Sequence, residues 1–147
     1  MAGRYEAEVV IDRPIEEVFA FLADGTNDRK FSPRVLEIEK TTDGPTGAGT
    51  VYASTVKDAG MKTKREFELT EFEPPTRIRW TELSKNAVVV PEGGYDLAPA
   101  GEGTRLTVFN VFEGRGLGRL IAGLALRSAR KDADSFAQRI KAAAEAS

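Results

Sequence analysis

The sequence predicts one α+β domain, residues 1–147, in which a seven-stranded antiparallel sheet wraps around a long C-terminal helix. Three observations carry that prediction. Residues 114–147 hold the only long run of apolar residues at helical spacing. Between residues 35 and 112 the chain is a series of short alternating segments divided by Gly, Pro and Asp turns, the pattern of hairpins joined antiparallel. Those segments are charged on one face and apolar or aromatic on the other, so the sheet needs a cover, and the C-terminal helix is the one element long enough to supply it. At 147 residues, 41% hydrophobic and 30% charged, the chain suits a single core.

The elements follow in order. Tyr5, Ala7, Val9 and Ile11 alternate with Glu6 and Glu8, as in a half-buried strand. Asp12 and Pro14 then signal a helix start, Glu16 and Glu17 suit its positive end, and Ile15, Val18, Phe19 and Leu22 give it a short buried face. Residues 24–27 stop that helix, and a second short turn runs over 27–31, ended by Ser32 and Pro33. Strands are expected over 35–41, 50–57, 63–72, 77–83, 87–97 and 104–112. Turns at 43–49, 58–60 and 99–103 divide them, Pro74 and Pro75 break the chain between two of them, and Gly93-Gly94 reads as a bulge or kink. The order is β-α-α, six further strands, and the last helix.

That helix has two apolar stripes. Ala122, Leu126, Ala129, Ala133, Phe136 and Ile140 run most of its length, whereas Leu117, Leu120, Ile121 and Leu124 form a second stripe confined to the first turns. A helix apolar all round must be covered by more than one sheet: by core, ligand, membrane or a second chain. The alanine-rich tail, 142–146, is expected to fray.

Composition removes several chemistries. Lys plus Arg number 21 against 23 Asp plus Glu, a net charge of −2, so there is no basic field for nucleic acid. Without cysteine or histidine there is no disulfide, thiol nucleophile, iron–sulfur cluster or imidazole base, and the commonest metal ligands are missing. No metal or cofactor is expected. Glu66, Glu68, Glu71 and Glu73 read as solvation of the outer sheet face rather than as metal ligands. The N-terminal stretch lacks the features of a signal peptide, and the longest apolar run, 120–126, is far below the ~20 residues a membrane-spanning helix needs, so a cytoplasmic location is expected. The glycines of 114–118 resemble a phosphate loop but lack the following parallel strand, and read as a hinge from strand to helix that lets the helix lift. Arg115, Arg119, Arg127, Arg130 and Lys131 form a basic run with no acid between Glu113 and Asp132, a composition shared by membrane-surface helices and by solvated rims; contact with a membrane and a homodimer through this helix both stay open.

Taken together, the order of elements resembles the helix-grip superfamily of the birch-pollen allergen and START lipid-transfer domains (SRPBCC), and its bacterial polyketide cyclase/dehydrase-like branch. The stretches that carry the resemblance are 11–24, Phe31-Ser-Pro-Arg-Val35 with Phe where Trp is usual, 47–50, 72–77, 94–99 and 103–106. They mark the fold and say little about chemistry. The resemblance implies an apolar pocket between sheet and helix, which binds a small hydrophobic molecule: a lipid, an isoprenoid or an aromatic polyketide. Inward strand positions would be Tyr52, Arg65, Phe67, Trp80, Glu82, Tyr95, Val108, Asn110 and Phe112, with Leu117, Leu120, Ile121 and Leu124 capping the pocket and Phe31 at its entrance.

Polar groups on an apolar face need partners. Arg65 and Glu82 either pair with each other or face a ligand, and the sequence leaves both open. No catalytic residue is assigned. A cyclase or dehydratase alternative would use Glu82 as base, with Arg65, Tyr52 or Tyr95 stabilising an oxyanion. A third reading is an interaction module acting through the C-terminal helix.

Overall fold

The computed structural model describes residues 2–58 and 60–147, so Ala59 of the expected 58–60 turn lies outside the described residues. Strand β1 (Ala2–Ile11) leads through Pro14 into α1 (Ile15–Ala23), where Glu16 and Glu17 occupy the first turn and Val18, Phe19, Phe21 and Leu22 are buried. A 3₁₀ helix follows over Gly25–Lys30, begun by the Asp24 carboxylate accepting from the Thr26 amide at 3.0 Å. Then come β2 (Val35–Lys40), β3 (Val51–Asp58), β4 (Met61–Glu73), β5 (Arg77–Glu82), β6 (Val88–Ala100) and β7 (Gly103–Gly114), and finally α2 (Gly118–Ala146).

The seven strands form one antiparallel sheet in the order β1-β7-β6-β5-β4-β3-β2, so the first strand pairs with the last and the sheet curls around α2, the helix-grip architecture. Register fixes which residues face inward. Tyr5 lies opposite Asn110, Val9 opposite Leu106, Tyr95 opposite Val108, Ile78 opposite Tyr95, and Phe67 opposite both Tyr52 and Glu82. The inward set is therefore one apolar and aromatic surface running across all strands.

That surface has two ends. Toward the end of β1, Ile11, Ile78, Leu97, Thr104 and Leu106 are buried beneath α1 and the C-terminal half of α2. Phe19 meets Phe72 edge-on at 5.3 Å, and Phe31 sits between Phe21 and Phe136. Ala133, Ala137, Ile140 and Ala144 form the buried stripe of α2 there, their small side chains letting the helix lie close to β1. The opposite end carries the β3–β4, β5–β6 and β7–α2 connections.

Three local expectations change. The bulge of β6 falls between Val89 and Glu92, not at Gly93-Gly94, which stay in register opposite Asn110 and Phe109. Those glycines are needed for space: a Cβ on Gly93 would overlap Trp80 and Asn110, and one on Gly94 would overlap Arg79. The 114–118 segment is a packed junction rather than a loose hinge, because a Cβ on Gly114 would strike the Gly118 backbone and one on Gly118 would strike that of Ala87. Only its middle glycine, Gly116 at φ 57°, serves the turn itself. The tail does not fray: α2 runs to Ala146, Ala144 is buried, and the Glu145 carboxylate accepts from the Asp12 amide at 2.8 Å and from Lys141.

Candidate functional site

Five inward side chains at the connection end are only half buried: Tyr5, Phe67, Trp80, Asn110 and Phe112. They sit one or two residues further along the same rows as the fully buried Val108 and Leu106. The inward face of the sheet is thus fully buried under α1 and partly exposed toward the other end.

Their polar atoms form a chain. Trp80 Nε1 donates to Asn110 Oδ1 at 3.0 Å, and Asn110 Nδ2 donates to Tyr5 Oη at 3.0 Å. Having accepted from Asn110, the Tyr5 hydroxyl keeps its own proton to donate. Tyr5 also meets Phe112 edge-on at 5.5 Å, and Trp80 meets Tyr95 at 4.9 Å. These contacts hold the aromatic rings in fixed orientations about the amide.

Asp28, on the 3₁₀ helix, lies close enough to Tyr95 for its charge to act on that phenol. Burial, and secondarily the Asp24 carboxylate, push its carboxyl up to about 7. Burial holds Tyr95 well above the ordinary phenol value, with the charge of Asp28 and then Tyr5 adding to it, so the two groups feel one another across the same space. Burial also raises Tyr5, against the hydrogen bond from Asn110. No side chain among the described residues hydrogen-bonds the Asp28 carboxyl or the Tyr95 hydroxyl. Asp28 is surrounded by protein yet retains some water-accessible surface.

Several expected site residues lie elsewhere. Arg65 and Glu82 pair with each other, Arg65 Nη1 reaching the two carboxylate oxygens at 2.9 and 3.0 Å. The wholly buried Glu82 side chain also accepts from Ser84 at 2.5 Å, Asn86 at 3.0 Å and the Val90 amide at 2.9 Å. Both oxygens are occupied, leaving no free lone-pair direction for a substrate proton; this pair anchors the β5–β6 connection. Tyr52 is under α1, its hydroxyl donating to the Ala23 carbonyl at 3.3 Å. Phe31, expected at the entrance, is in the core between Phe21 and Phe136. The expected cap also fails. Leu117, Leu120, Ile121 and Leu124 are 85%, 74%, 54% and 67% exposed, because Gly118 and Ala122 turn the opposite side of the helix onto the protein. A cleft of about 300 Å³ lined by Leu83, Ser84, Lys85, Val89, Pro91 and Arg115 lies beside the β5–β6 connection and is distinct from the interior.

Tyr5 and Asp28 are the two residues that sequence reasoning missed. Tyr5 had a signal, a hydroxyl on the inward parity of β1. Asp28 had none, because the six residues of its 3₁₀ helix, Gly25–Lys30, include no apolar side chain to mark which side faces in.

A family profile described as polyketide cyclase / dehydrase and lipid transport matches residues 2–145. The chain belongs to that family. No curated protein matches the sequence. Among solved structures, TTHA0849 from Thermus thermophilus is similar over 98% of both chains at 22% identity and a TM-score of 0.80. An aromatase/cyclase, ZhuI from Streptomyces sp. R1128, is similar over 99% of this chain and 94% of its own at 18% identity and 0.79. Ara h 8.0201 is similar over the full length of both at 19% identity and 0.70. At these identities the likeness is one of fold. Among the described residues no helix is long and apolar enough to cross a membrane.

Proposed function

We propose that this member of the polyketide cyclase / dehydrase and lipid transport family binds a small, largely apolar molecule with a hydroxyl or carbonyl group, held in the open part of the grip. The observation that carries this reading is the Trp80–Asn110–Tyr5 chain standing among half-buried aromatic rings. Phe67 and Phe112 offer apolar walls, while the Tyr5 proton, the Tyr95 hydroxyl and the Asp28 carboxyl await partners. A buried polar group without a partner costs roughly 1–3 kcal/mol, so a ligand that supplies the missing bonds is favoured over a purely hydrocarbon one.

Trp80 is the only tryptophan, so its fluorescence reports on this place alone. Titration with hydroxylated aromatics, fatty acids and quinones, together with native mass spectrometry of freshly purified protein, tests the reading. Saturable change in Trp80 emission by one of these classes is expected, weakened about tenfold by Asn110→Leu, which removes both hydrogen bonds. Emission that ignores every class, with empty protein in the mass spectrum, would sink the proposal.

A second reading, acid–base chemistry in the same place, is favoured by Asp28 rather than by Glu82. A carboxyl near 7 beside a phenol is suited to taking and returning a proton at neutral pH. That reading requires Asp28→Asn to abolish turnover of a poly-β-ketone substrate while its binding, followed by Trp80, persists.

A further inference from the structure

Six of the seven large apolar side chains exposed among the described residues lie at one end of the sheet. Met61 follows the β3–β4 turn, Leu83 opens the β5–β6 connection, and Leu117, Leu120, Ile121 and Leu124 occupy the β7–α2 junction and the first turns of α2. Antiparallel connectivity brings these three connections to the same end, and the contact of Gly118 with the Ala87 backbone ties the start of α2 to the β5–β6 connection. The seventh, Val10, is at the other end of β1.

The first turns of α2 are basic, while Glu66, whose carbonyl accepts from the Leu83 amide, and Glu113, in the cleft beside Arg115, are the acids on the neighbouring strands. Lys62, Lys85, Arg115, Arg119 and Arg127 are exposed, and none forms an ion pair among the described residues. Five basic residues and no acid occupy the stretch between Glu113 and Asp132, in a chain whose net charge is −2. Exposed leucine and isoleucine bordered by unpaired arginine and lysine match a surface that is apolar within and anionic at its face.

We propose that this end of the molecule docks on an anionic lipid bilayer. Leu117, Leu120, Ile121 and Leu124 enter the boundary between headgroups and acyl chains, Met61 and Leu83 touch beside them, and the unpaired cations lie against lipid phosphates. Two features favour a bilayer over another protein chain. The apolar side chains project from three separate connections, and the cleft beside the β5–β6 connection takes in only Leu83 of the six, a spread that a fluid surface accommodates better than one bound peptide does. A second copy packed stripe to stripe would bring Arg119 and Arg127 toward their own like charges, which is unfavourable. The open end of the interior faces the same way. If the ligand-binding reading above holds, docking places its mouth at a source of apolar cargo, but the docking itself does not depend on that reading.

The test is flotation of the full chain with vesicles of phosphatidylcholine alone and with about one third phosphatidylglycerol, at low and high salt. Binding to the anionic vesicles at low salt is expected, lost with added salt. It should fall about tenfold or more in Leu120→Glu/Leu124→Glu and in Arg119→Glu/Arg127→Glu, and stay unchanged in Val10→Glu. All these positions are exposed, so circular dichroism and the Trp80 titration should match the parent. That titration separates the proposals: variants that keep ligand response but lose vesicles test docking alone. Absence of binding to anionic vesicles, or equal losses in Val10→Glu, overturns the proposal. So does a concentration-dependent dimer that Leu120→Glu/Leu124→Glu breaks without any vesicle binding, which would assign the stripe to a second copy.

Discussion

From Ala133 to Ala144, α2 buries one stripe and shows water mainly charged and small side chains; from Leu117 to Leu124 it buries Gly118 and Ala122 and turns leucine and isoleucine outward. The same helix is therefore an ordinary core element at one end and a displayed surface at the other. The sheet beneath shows a matching division, closed under α1 and open where β3–β4, β5–β6 and β7–α2 meet. On the proposed readings, stability and function would then belong to opposite ends of one fold. Substitutions in the closed half should unfold the protein, and those in the open half should leave it folded and change what it touches.

The sharpest exception to that division should be Glu82. It lies at the open end, yet its carboxylate accepts from Arg65, Ser84, Asn86 and the Val90 amide with no exposure of its own. Glu82→Leu leaves the largely buried Arg65 guanidinium without its counter-charge and should cost about 3–5 kcal/mol in urea unfolding. A loss below about 1 kcal/mol would show that the β5–β6 connection is held by other contacts.

Next comes a direct pair across α2. Ile140 is wholly buried, and Ile140→Ala should cost about 3 kcal/mol by removing methylenes and leaving a cavity. Leu124, two-thirds exposed, should tolerate Leu124→Ala within about 0.5 kcal/mol, for the same type of truncation on the same helix. Similar losses at both positions would mean that the stripe is covered in solution, and would break the comparison.

Much of this was legible in the sequence, for identifiable reasons. Period-two alternation gave the inward face of every strand, because parity along a strand is fixed once one face is buried. The stripe through Ala122, Ala133 and Ile140 was legible for the same reason at helical period. What periodicity does not carry is which of two apolar stripes meets the protein. Glycine decided that: Gly3 leaves room for Leu126, and Gly114 and Gly118 let backbones touch, drawing that side inward and leaving Leu120 and Leu124 outside. The Arg65–Glu82 pairing was open because register depends on the bulge between Leu69 and Glu71, which no residue announces. Gly93 misled in an instructive way, since a glycine that makes room for Trp80 and Asn110 looks the same in sequence as one that bends a strand.

An effect smaller than those at Glu82 and Ile140 concerns Asp28, and its sign is opposite to theirs. Its carboxyl is pushed up to about 7 in the folded chain against an ordinary value of 3.8, because burial and then the neighbouring Asp24 oppose the charged form. Between those two values the folded protein holds a proton that the unfolded chain has released, so folding is most favoured below about pH 4 and loses stability as pH rises toward 7. Above that range the penalty is constant. Each unit of difference corresponds to about 1.4 kcal/mol, and the water that reaches part of the carboxyl reduces this, so the parent should gain about 1–2 kcal/mol relative to Asp28→Asn on going from about pH 8 to about pH 5. Asp28→Asn should accordingly be the more stable protein in mild alkali. If the two unfolding curves shift in parallel with pH, Asp28 is solvated as an ordinary surface carboxylate, and the open half of the grip is simply wet. If they converge as the pH falls, the surroundings of Asp28 are shielded enough to keep a carboxyl neutral, which is the condition under which it can donate a hydrogen bond to a bound carbonyl.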